Sequence, residues 1–273
     1  MSNLIISAAE LNEKIKDHNL IILDCSPETN KAGLEPDFEN TKIKGARYFD
    51  LENDFCNPDS SLPNTLPTPE QFTENCRKLG INNSSEIILY DNLGIYSSPR
   101  VWWMFKIMGH DGVAVLNGGL AAWMQLGLPT QTEHSTGTKA GNFTANLRLE
   151  LISDLDFIKQ NLTSKEALII DARSPGRFDG LIPEPREGLR SGNIPGSINI
   201  PFQDVLENGK FREKDELKSI FREVKDPSKE LVFSCGSGIT ACILFLAGEL
   251  VLDHKKSVYD GSWTEWGSRV KND

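Results

Sequence analysis

The sequence lacks long apolar runs. No stretch of the 273 residues approaches the roughly 20 apolar residues that a membrane-spanning helix requires. The first 19 residues also become polar and acidic too early for a secretory signal. We therefore expect a cytoplasmic protein with no membrane partner.

Cysteines are few, odd in number and scattered. None of the five belongs to a CxxC pair: they are Cys25, Cys56, Cys76, Cys235 and Cys242. A disulfide framework and a structural zinc site both require closer or more regular spacing. What remains is a set of buried core thiols, or one reactive nucleophile among them.

Positive charge is in deficit. The chain has 29 basic and 39 acidic residues, a formal net charge of -10. This balance repels phosphate backbones, so we expect no nucleic-acid partner. An anionic substrate would have to be held by local arginines against an unfavourable overall field.

The length suits two domains, and the sequence repeats itself at a long period. Four blocks recur in the same order: LIILD at 20–24 as LIID at 168–171, KIKGA at 42–46 as NIPGS at 193–197, IILYD at 87–91 as LVFSC at 231–235, and VLNGGLAAW at 115–123 as VYDGSWTEW at 258–266. The preserved order argues against chance.

Each half alternates short β-branched runs with helical stretches, such as residues 69–78 and 99–108. This alternation predicts βαβ units and a mainly parallel sheet flanked by helices, an α/β fold in two tandem copies. Residues 130–141 are polar, lack periodicity and are interpreted as the linker. The predicted domains are residues 1–135 and 146–273.

The segment 231–246 carries the clearest chemical signal. An apolar strand ends at Ser234, a glycine-spaced turn follows, and an apolar helix begins near Thr240. Parallel α/β folds place ligands at such strand ends. Gly236 and Gly238 allow the backbone amides to curl around an anion, and the helix adds its positive end. Cys235 is thus predicted to be a nucleophile with a stabilised thiolate or persulfide; the alternative is a glycine-rich turn that holds a cysteine by accident.

The loop CGSGITA at 235–241 resembles the active-site loop of the 3-mercaptopyruvate sulfurtransferases, two-domain members of the rhodanese family. The likeness covers nearly the whole chain, including NGG at 117–119 and YDGSW at 259–263. It implies two rhodanese-like domains, of which the C-terminal one is catalytic. The N-terminal copy lacks the cysteine, in agreement with Asp91 at the matching position.

The resemblance also implies the roles of the loop residues. Ser237 is expected to donate a hydrogen bond to the substrate or persulfide, and Gly236, Gly238, Ile239 and Thr240 are expected to form the substrate-binding loop. Relatives that use thiosulfate tend to carry basic residues directly after the cysteine. The uncharged residues at 236 and 237 therefore favour 3-mercaptopyruvate.

GRF at 176–178 and PEPR at 183–186 also resemble the family. This match implies that Arg177 and Arg186 bind the carboxylate and keto oxygen of the substrate, a task that suits the guanidinium fork. The alternative is that one of them ties its loop to Asp179 or Glu184.

Arg173 is assigned a structural role beside Asp171 at the end of a predicted strand.

By the resemblance, Cys235 takes sulfur from 3-mercaptopyruvate and pyruvate leaves as its enolate. A thiol acceptor such as reduced thioredoxin, or cyanide in an assay, then removes the outer sulfur, as in other covalent catalysis. Neither a metal nor an organic cofactor is expected.

One part of the family pattern is missing. Relatives often place an acid and a histidine in the N-terminal domain as a proposed relay to the serine of the loop. Glu52 matches the acid and is a candidate catalytic residue, but Asn64 stands where the histidine would be. Asparagine forms hydrogen bonds and does not transfer protons near neutral pH, so we expect no relay.

Three alternatives remain from the sequence. The first is a thiosulfate sulfurtransferase. The second is a cysteine-dependent phosphatase, whose C-x5-R pattern is broken by Ala241. The third is a non-catalytic sulfur carrier or binding module that retains the loop.

Overall fold

The structure is a computed structural model that describes residues 3–137, 139–224 and 226–270. The chain divides into two compact units. The first comprises the chain up to Pro58 with Leu66–Arg148 and Asn208–Phe211; the second comprises Asp59–Thr65, Leu149–Glu207 and the chain from Arg212 onward. Among the described residues, no helix has the length and apolar character needed to span a membrane.

Short strands form the centre of each unit. Those up to residue 131 are β1 Ile5–Ile6, β2 Leu20–Asp24, β3 Lys42–Ile43, β4 Arg47–Tyr48, β5 Glu86–Tyr90, β6 Val113–Leu116 and β7 Thr130–Gln131. The later ones are β8 Ile152–Ser153, β9 Ala167–Asp171, β10 Ile198–Asn199, β11 Leu206–Glu207, β12 Lys210–Phe211, β13 Glu230–Ser234 and β14 Lys256–Tyr259.

The two main sheets have the same topology. The first has the order β1-β6-β5-β2-β4, and the second has β8-β14-β13-β9-β10. All their strand pairs are parallel. The central strands β2, β5 and β13 are buried beyond their first residue, as expected for a parallel sheet covered on both faces. The predicted α/β fold in two copies is confirmed.

Helices connect the strands and cover the sheets. They are α1 Ala8–Lys14, α2 Pro69–Lys78, α3 Ser98–Ile107, α4 Gly119–Gln125, α5 Leu155–Ser164, α6 Pro175–Phe178, α7 Lys214–Ile220, α8 Ala241–Val251 and α9 Ser262–Arg269. Local sequence sets the start of two of these helices. The Thr68 side chain accepts a hydrogen bond from the Gln71 amide before α2, and the Asp154 side chain accepts one from the Phe157 amide before α5.

Parallel register brings the ends of neighbouring strands together. Ser234 of β13 lies opposite Asp171 of β9, and Tyr90 of β5 lies opposite Asp24 of β2. Cys235 and Asp91 therefore follow equivalent strands at the carboxyl edges of their sheets. This is the edge at which side chains can converge on a ligand.

The polar stretch interpreted as the linker packs with the first unit. Strand β7 pairs antiparallel with β3, and Phe143 is buried with its carbonyl accepting a 2.7 Å hydrogen bond from Nε of Arg77. The domain limits of 1–135 and 146–273 stay a prediction.

Candidate active site

The loop after β13 places the sulfur of Cys235 within hydrogen-bonding distance of a backbone amide. Cys235 is buried, and the Gly238 amide donates to its Sγ at 3.1 Å. Gly238 has a φ of +82°, a left-handed conformation that glycine adopts without steric strain. The loop leads directly into α8, whose positive N-terminal end lies next in the chain.

The start of α9 fixes the outer side of this loop. Oγ of Ser262 accepts a hydrogen bond from the Cys235 amide at 3.2 Å, and the Trp263 amide donates to the Cys235 carbonyl at 2.9 Å. Thr264 donates to the Gly236 carbonyl through its amide at 2.9 Å and its hydroxyl at 2.6 Å. The loop is thus held in one shape by hydrogen bonds to the backbone and to the side-chain hydroxyls of α9.

The equivalent loop of the first unit already holds an anion. The carboxylate of Asp91 accepts hydrogen bonds from the amides of Leu93, Tyr96, Ser97 and Ser98 at 2.9–3.1 Å, and from the Ser98 hydroxyl at 2.6 Å. Asp91 is fully buried, and this burial raises its pKa despite those donors. The first loop demonstrates within this chain that the fold curls its amides around a negative group.

Arg177 lies against the cysteine loop and also pairs with an acid. Its Nε and Nη2 bind the Glu184 carboxylate at 3.2 and 2.5 Å. Its Nη2 is 2.9 Å from the point where a Cβ on Gly236 would lie. The alternative interpretation, an arginine tied to Glu184, therefore describes part of what Arg177 does. Within the described part of the chain, its Nη1 makes no hydrogen bond.

Arg173 has the structural role predicted for it. Its guanidinium binds Asp171 at 2.7 Å and Glu184 at 2.7 Å, and it stacks over the Trp263 ring at 4.6 Å. Burial by itself lowers the pKa of Arg173, but the hydrogen bonds and charges of its two carboxylate partners raise it. Glu184 accordingly anchors two arginines, and it fixes Arg177 beside the loop.

Ser237 is where several predicted residues meet. Its Oγ accepts hydrogen bonds from Nδ2 of Asn64 at 2.9 Å and from Nη2 of Arg186 at 3.1 Å. The structure thus brings Arg186 to the cysteine loop, and Asn64 reaches the serine that the resemblance links to that position.

For the other predicted site residues, the structure gives a position and a degree of burial. Ile239 and Thr240 continue the loop and are half-buried. Glu52 is exposed in a turn of the first unit, and its predicted catalytic role stays a prediction. Among the described residues, no cluster of histidine, cysteine or acidic side chains is placed to hold a metal ion.

The remaining cysteines lie in different surroundings. Burial raises the pKa of the Cys25 and Cys76 thiols, and Asp24 and Asp91 raise that of Cys25 further. Cys242 is buried on α8 and donates to the Gly238 carbonyl.

Two contributors were absent from the sequence analysis, and a third had been assigned only part of its role. Ser262 and Thr264 fix the loop from α9, and Glu184 holds two arginines instead of only one. The block VYDGSWTEW at 258–266 is the available signal for the first two, since its recurrence marks the start of α9 as part of the site.

The fold and the loop define a class: tandem parallel α/β units, one of which has a cysteine directly after a central strand, with its sulfur bound by a backbone amide. The rhodanese-like domain family matches residues 7–126 and 154–269. The chain belongs to the rhodanese family.

Named relatives cover almost the whole chain. Human 3-mercaptopyruvate sulfurtransferase is 40% identical over 92% of this chain and 86% of that protein. Mouse thiosulfate sulfurtransferase is 39% identical over 92% and 86%. The crystal structure of SseA from Escherichia coli, a 3-mercaptopyruvate sulfotransferase, superposes with a TM-score of 0.84 at 32% identity, covering 96% of this chain and 99% of that one.

Proposed function

We propose that the chain is a 3-mercaptopyruvate sulfurtransferase in which Cys235 carries the sulfur as a persulfide. The observation that carries this proposal is the 3.1 Å contact from the Gly238 amide to Sγ, in a loop whose counterpart surrounds the Asp91 carboxylate with donors. A nest of this kind stabilises a thiolate and then a persulfide anion. Human 3-mercaptopyruvate sulfurtransferase, at 40% identity, supports this reaction, whereas mouse thiosulfate sulfurtransferase, at 39% identity, is named for the rival donor.

The first half-reaction moves one sulfur atom. The thiolate of Cys235 attacks the sulfur of 3-mercaptopyruvate, an S–S bond forms, and the C–S bond breaks. The electron pair of the broken bond leaves with carbon as the enolate of pyruvate. That enolate takes a proton to become pyruvate, and the hydrogen on the transferred sulfur is lost when the persulfide ionises. Gly236, Gly238, Ile239 and Thr240 supply the backbone of the loop around this sulfur.

The substrate's carboxylate and keto oxygen are assigned to Arg177 and Arg186. Arg186 is held at the loop by Ser237, and Arg177 lies against Gly236. A basic side chain at position 236 would collide with the Arg177 guanidinium and repel it. Glycine at 236 and arginine at 177 are therefore matched, which favours 3-mercaptopyruvate over thiosulfate in this chain.

The second half-reaction restores the thiolate. An acceptor thiolate attacks the outer sulfur and leaves with it, so a reduced dithiol such as thioredoxin, or cyanide forming thiocyanate, completes the cycle. We also propose a cytoplasmic location. All five cysteines lie in the described residues and none is joined to another, as a reducing compartment favours.

Turnover with two sulfur donors tests the proposal. The purified chain is incubated with 3-mercaptopyruvate or thiosulfate, with dithiothreitol or cyanide as acceptor, and pyruvate, sulfide and thiocyanate are measured. We expect a higher kcat/KM with 3-mercaptopyruvate. Equal or better use of thiosulfate would support the rival sulfurtransferase, and no turnover with either donor would support a carrier or binding module.

A further inference from the structure

The hydroxyl group of Ser237 receives two hydrogen bonds from fixed donors. Nδ2 of Asn64 lies 2.9 Å from Oγ, and Nη2 of Arg186 lies 3.1 Å from it. A serine hydroxyl has one proton and two acceptor sites. Because both neighbours are donors, they occupy the acceptor sites, and the hydroxyl proton must point away from both.

The orientation of the Asn64 amide is set by the backbone. Nδ2 also lies 3.4 Å from the carbonyl oxygen of Ser237, which can only accept. Turning the amide around would put two oxygens face to face. Asn64 therefore presents its NH2 group to Ser237 and not its oxygen.

The segment that carries Asn64 is held by hydrogen bonds among its own residues. Asn64 has a φ of 57°, a left-handed conformation that asparagine tolerates better than most residues. Beside it, the Thr65 hydroxyl bonds the Ser60 hydroxyl at 2.8 Å and the Leu62 carbonyl at 2.9 Å. This segment belongs to the same compact unit as Ser237, so the contact between them lies within one folded body.

We propose that Asn64 is a positioning residue. It orients the Ser237 hydroxyl so that it donates its hydrogen bond to the enolate oxygen of the departing pyruvate. The proposal rests on the sulfur transfer proposed above. As the C–S bond breaks, negative charge grows on that oxygen, so a donor held ready stabilises the transition state more than the bound substrate. Asn64 sets the direction of this hydrogen bond and moves no proton.

The sharpest variant is Asn64→Asp, which keeps the shape and replaces the NH2 donor by an acceptor oxygen. The Ser237 proton then turns toward position 64. We expect kcat to fall about 100-fold with KM changed less than about threefold, the lower end of the loss for one oxyanion donor. Asn64→Ala leaves the hydroxyl free to rotate and should lower kcat less than about tenfold. Asn208→Asp is the matched control: Asn208 is exposed, has a φ of 50°, and should keep wild-type kinetics.

A Ser237→Ala background separates positioning from structural damage. If Asn64 acts through the hydroxyl, Asn64→Asp adds no further loss to Ser237→Ala. Losses that multiply would overturn the proposal, because a carboxylate that disturbs Arg186 or the segment itself would act without the serine. Unchanged kcat in Asn64→Asp would overturn it as well.

The pH profile gives an independent readout. We expect the kcat profile of the wild-type chain and of Asn64→Ala to have the same limbs, since neither residue titrates. A strong rate gain in Asn64→His would overturn the proposal, because proton transfer would then have been limiting. If the wild-type chain releases no pyruvate from 3-mercaptopyruvate, it is the proposed function that fails, before any variant is made.

Discussion

The sulfur of Cys235 differs from the other four in its surroundings. It accepts a hydrogen bond from the Gly238 amide, in a loop that α9 holds in place. Burial, by contrast, raises the pKa of the Cys25 and Cys76 thiols. The Cys242 thiol donates to the backbone carbonyl of Gly238 in the same loop. Among the described hydrogen bonds of these thiols, Cys235 accepts one from a backbone amide, whereas Cys25, Cys56 and Cys242 donate to carbonyls.

Substitution of that thiol should abolish the chemistry. In Cys235→Ser we expect no pyruvate release and no persulfide, since a serine hydroxyl is not ionised near neutral pH and does not carry sulfur. Cys242→Ser, at the second residue of α8, is the control and should retain the reaction. Steady-state pyruvate release measures both. Full activity of Cys235→Ser would end the proposed function.

The arginines near the loop should differ in what their removal changes. Arg186→Ala removes a charge-assisted contact to the substrate and should therefore lower kcat/KM. The corresponding loss of transition-state stabilisation should be about 2 to 4 kcal/mol. Arg177→Ala should do the same and also leave the buried Glu184 carboxylate with one partner fewer, so we expect a lower Tm as well. Lysine should rescue either poorly, because it lacks the paired donors. Kinetics and thermal melts separate the two effects; unchanged kinetics in both alanine variants would refute the carboxylate assignment.

At the scale of elements, the carboxyl end of β2 is held by a buried polar network. The Asp24 carboxylate accepts hydrogen bonds from the Ser26 amide at 3.0 Å and from the Tyr90 hydroxyl at 2.9 Å. Nε2 of His134 lies 3.0 Å from the same carboxylate. Burial alone raises the pKa of Asp24, but the hydrogen bonds of His134, Ser26 and Tyr90 bring it below the usual value. The ionised form of Asp24 therefore stabilises the first unit.

We expect Asp24→Asn to lower the stability of the first unit by about 2 kcal/mol at neutral pH. A depressed pKa contributes stability above the unfolded value near 3.8, and this contribution is lost as the pH falls through the lower folded value. The difference in Tm between wild type and variant should therefore shrink below about pH 4. Exposed Asp17→Asn is the control, with a change within about 0.5 kcal/mol. A difference that stays constant down to pH 2 would contradict this account.

At the scale of the whole molecule, two units of equal topology carry unequal loops. The second presents a cysteine to its amides, while the first fills the same space with the Asp91 carboxylate. The repeat therefore provides one reactive centre and one loop that is already satisfied by its own side chain.

Intact mass spectrometry should show this asymmetry. After incubation with 3-mercaptopyruvate, we expect the chain to gain the mass of one sulfur atom, removable by cyanide or dithiothreitol. Asp91→Asn should gain the same single atom, since the first loop still lacks a thiol. A stable gain of two sulfur atoms would contradict the assignment of Cys235 as the single persulfide site.

Much of the fold was predictable because its signals are local. Short β-branched runs that alternate with helical stretches, and the repeat itself, indicated two parallel α/β domains. The loop at 235–241 was predictable for the same reason: its nucleophile, glycines and helix start are consecutive in the chain, and strand-end position gives them a shared direction.

What the sequence determined by itself was therefore the two-copy α/β fold and Cys235 as the candidate nucleophile. The tertiary structure decided which side chains contact one another around the candidate site. Asn64 reaches Ser237 across 173 positions, and Glu184 divides its carboxylate between Arg173 and Arg177. Such contacts depend on how a loop packs after the sheet has formed, and no periodicity or propensity in the chain encodes them, so only the folded arrangement reveals that two donors converge on one hydroxyl.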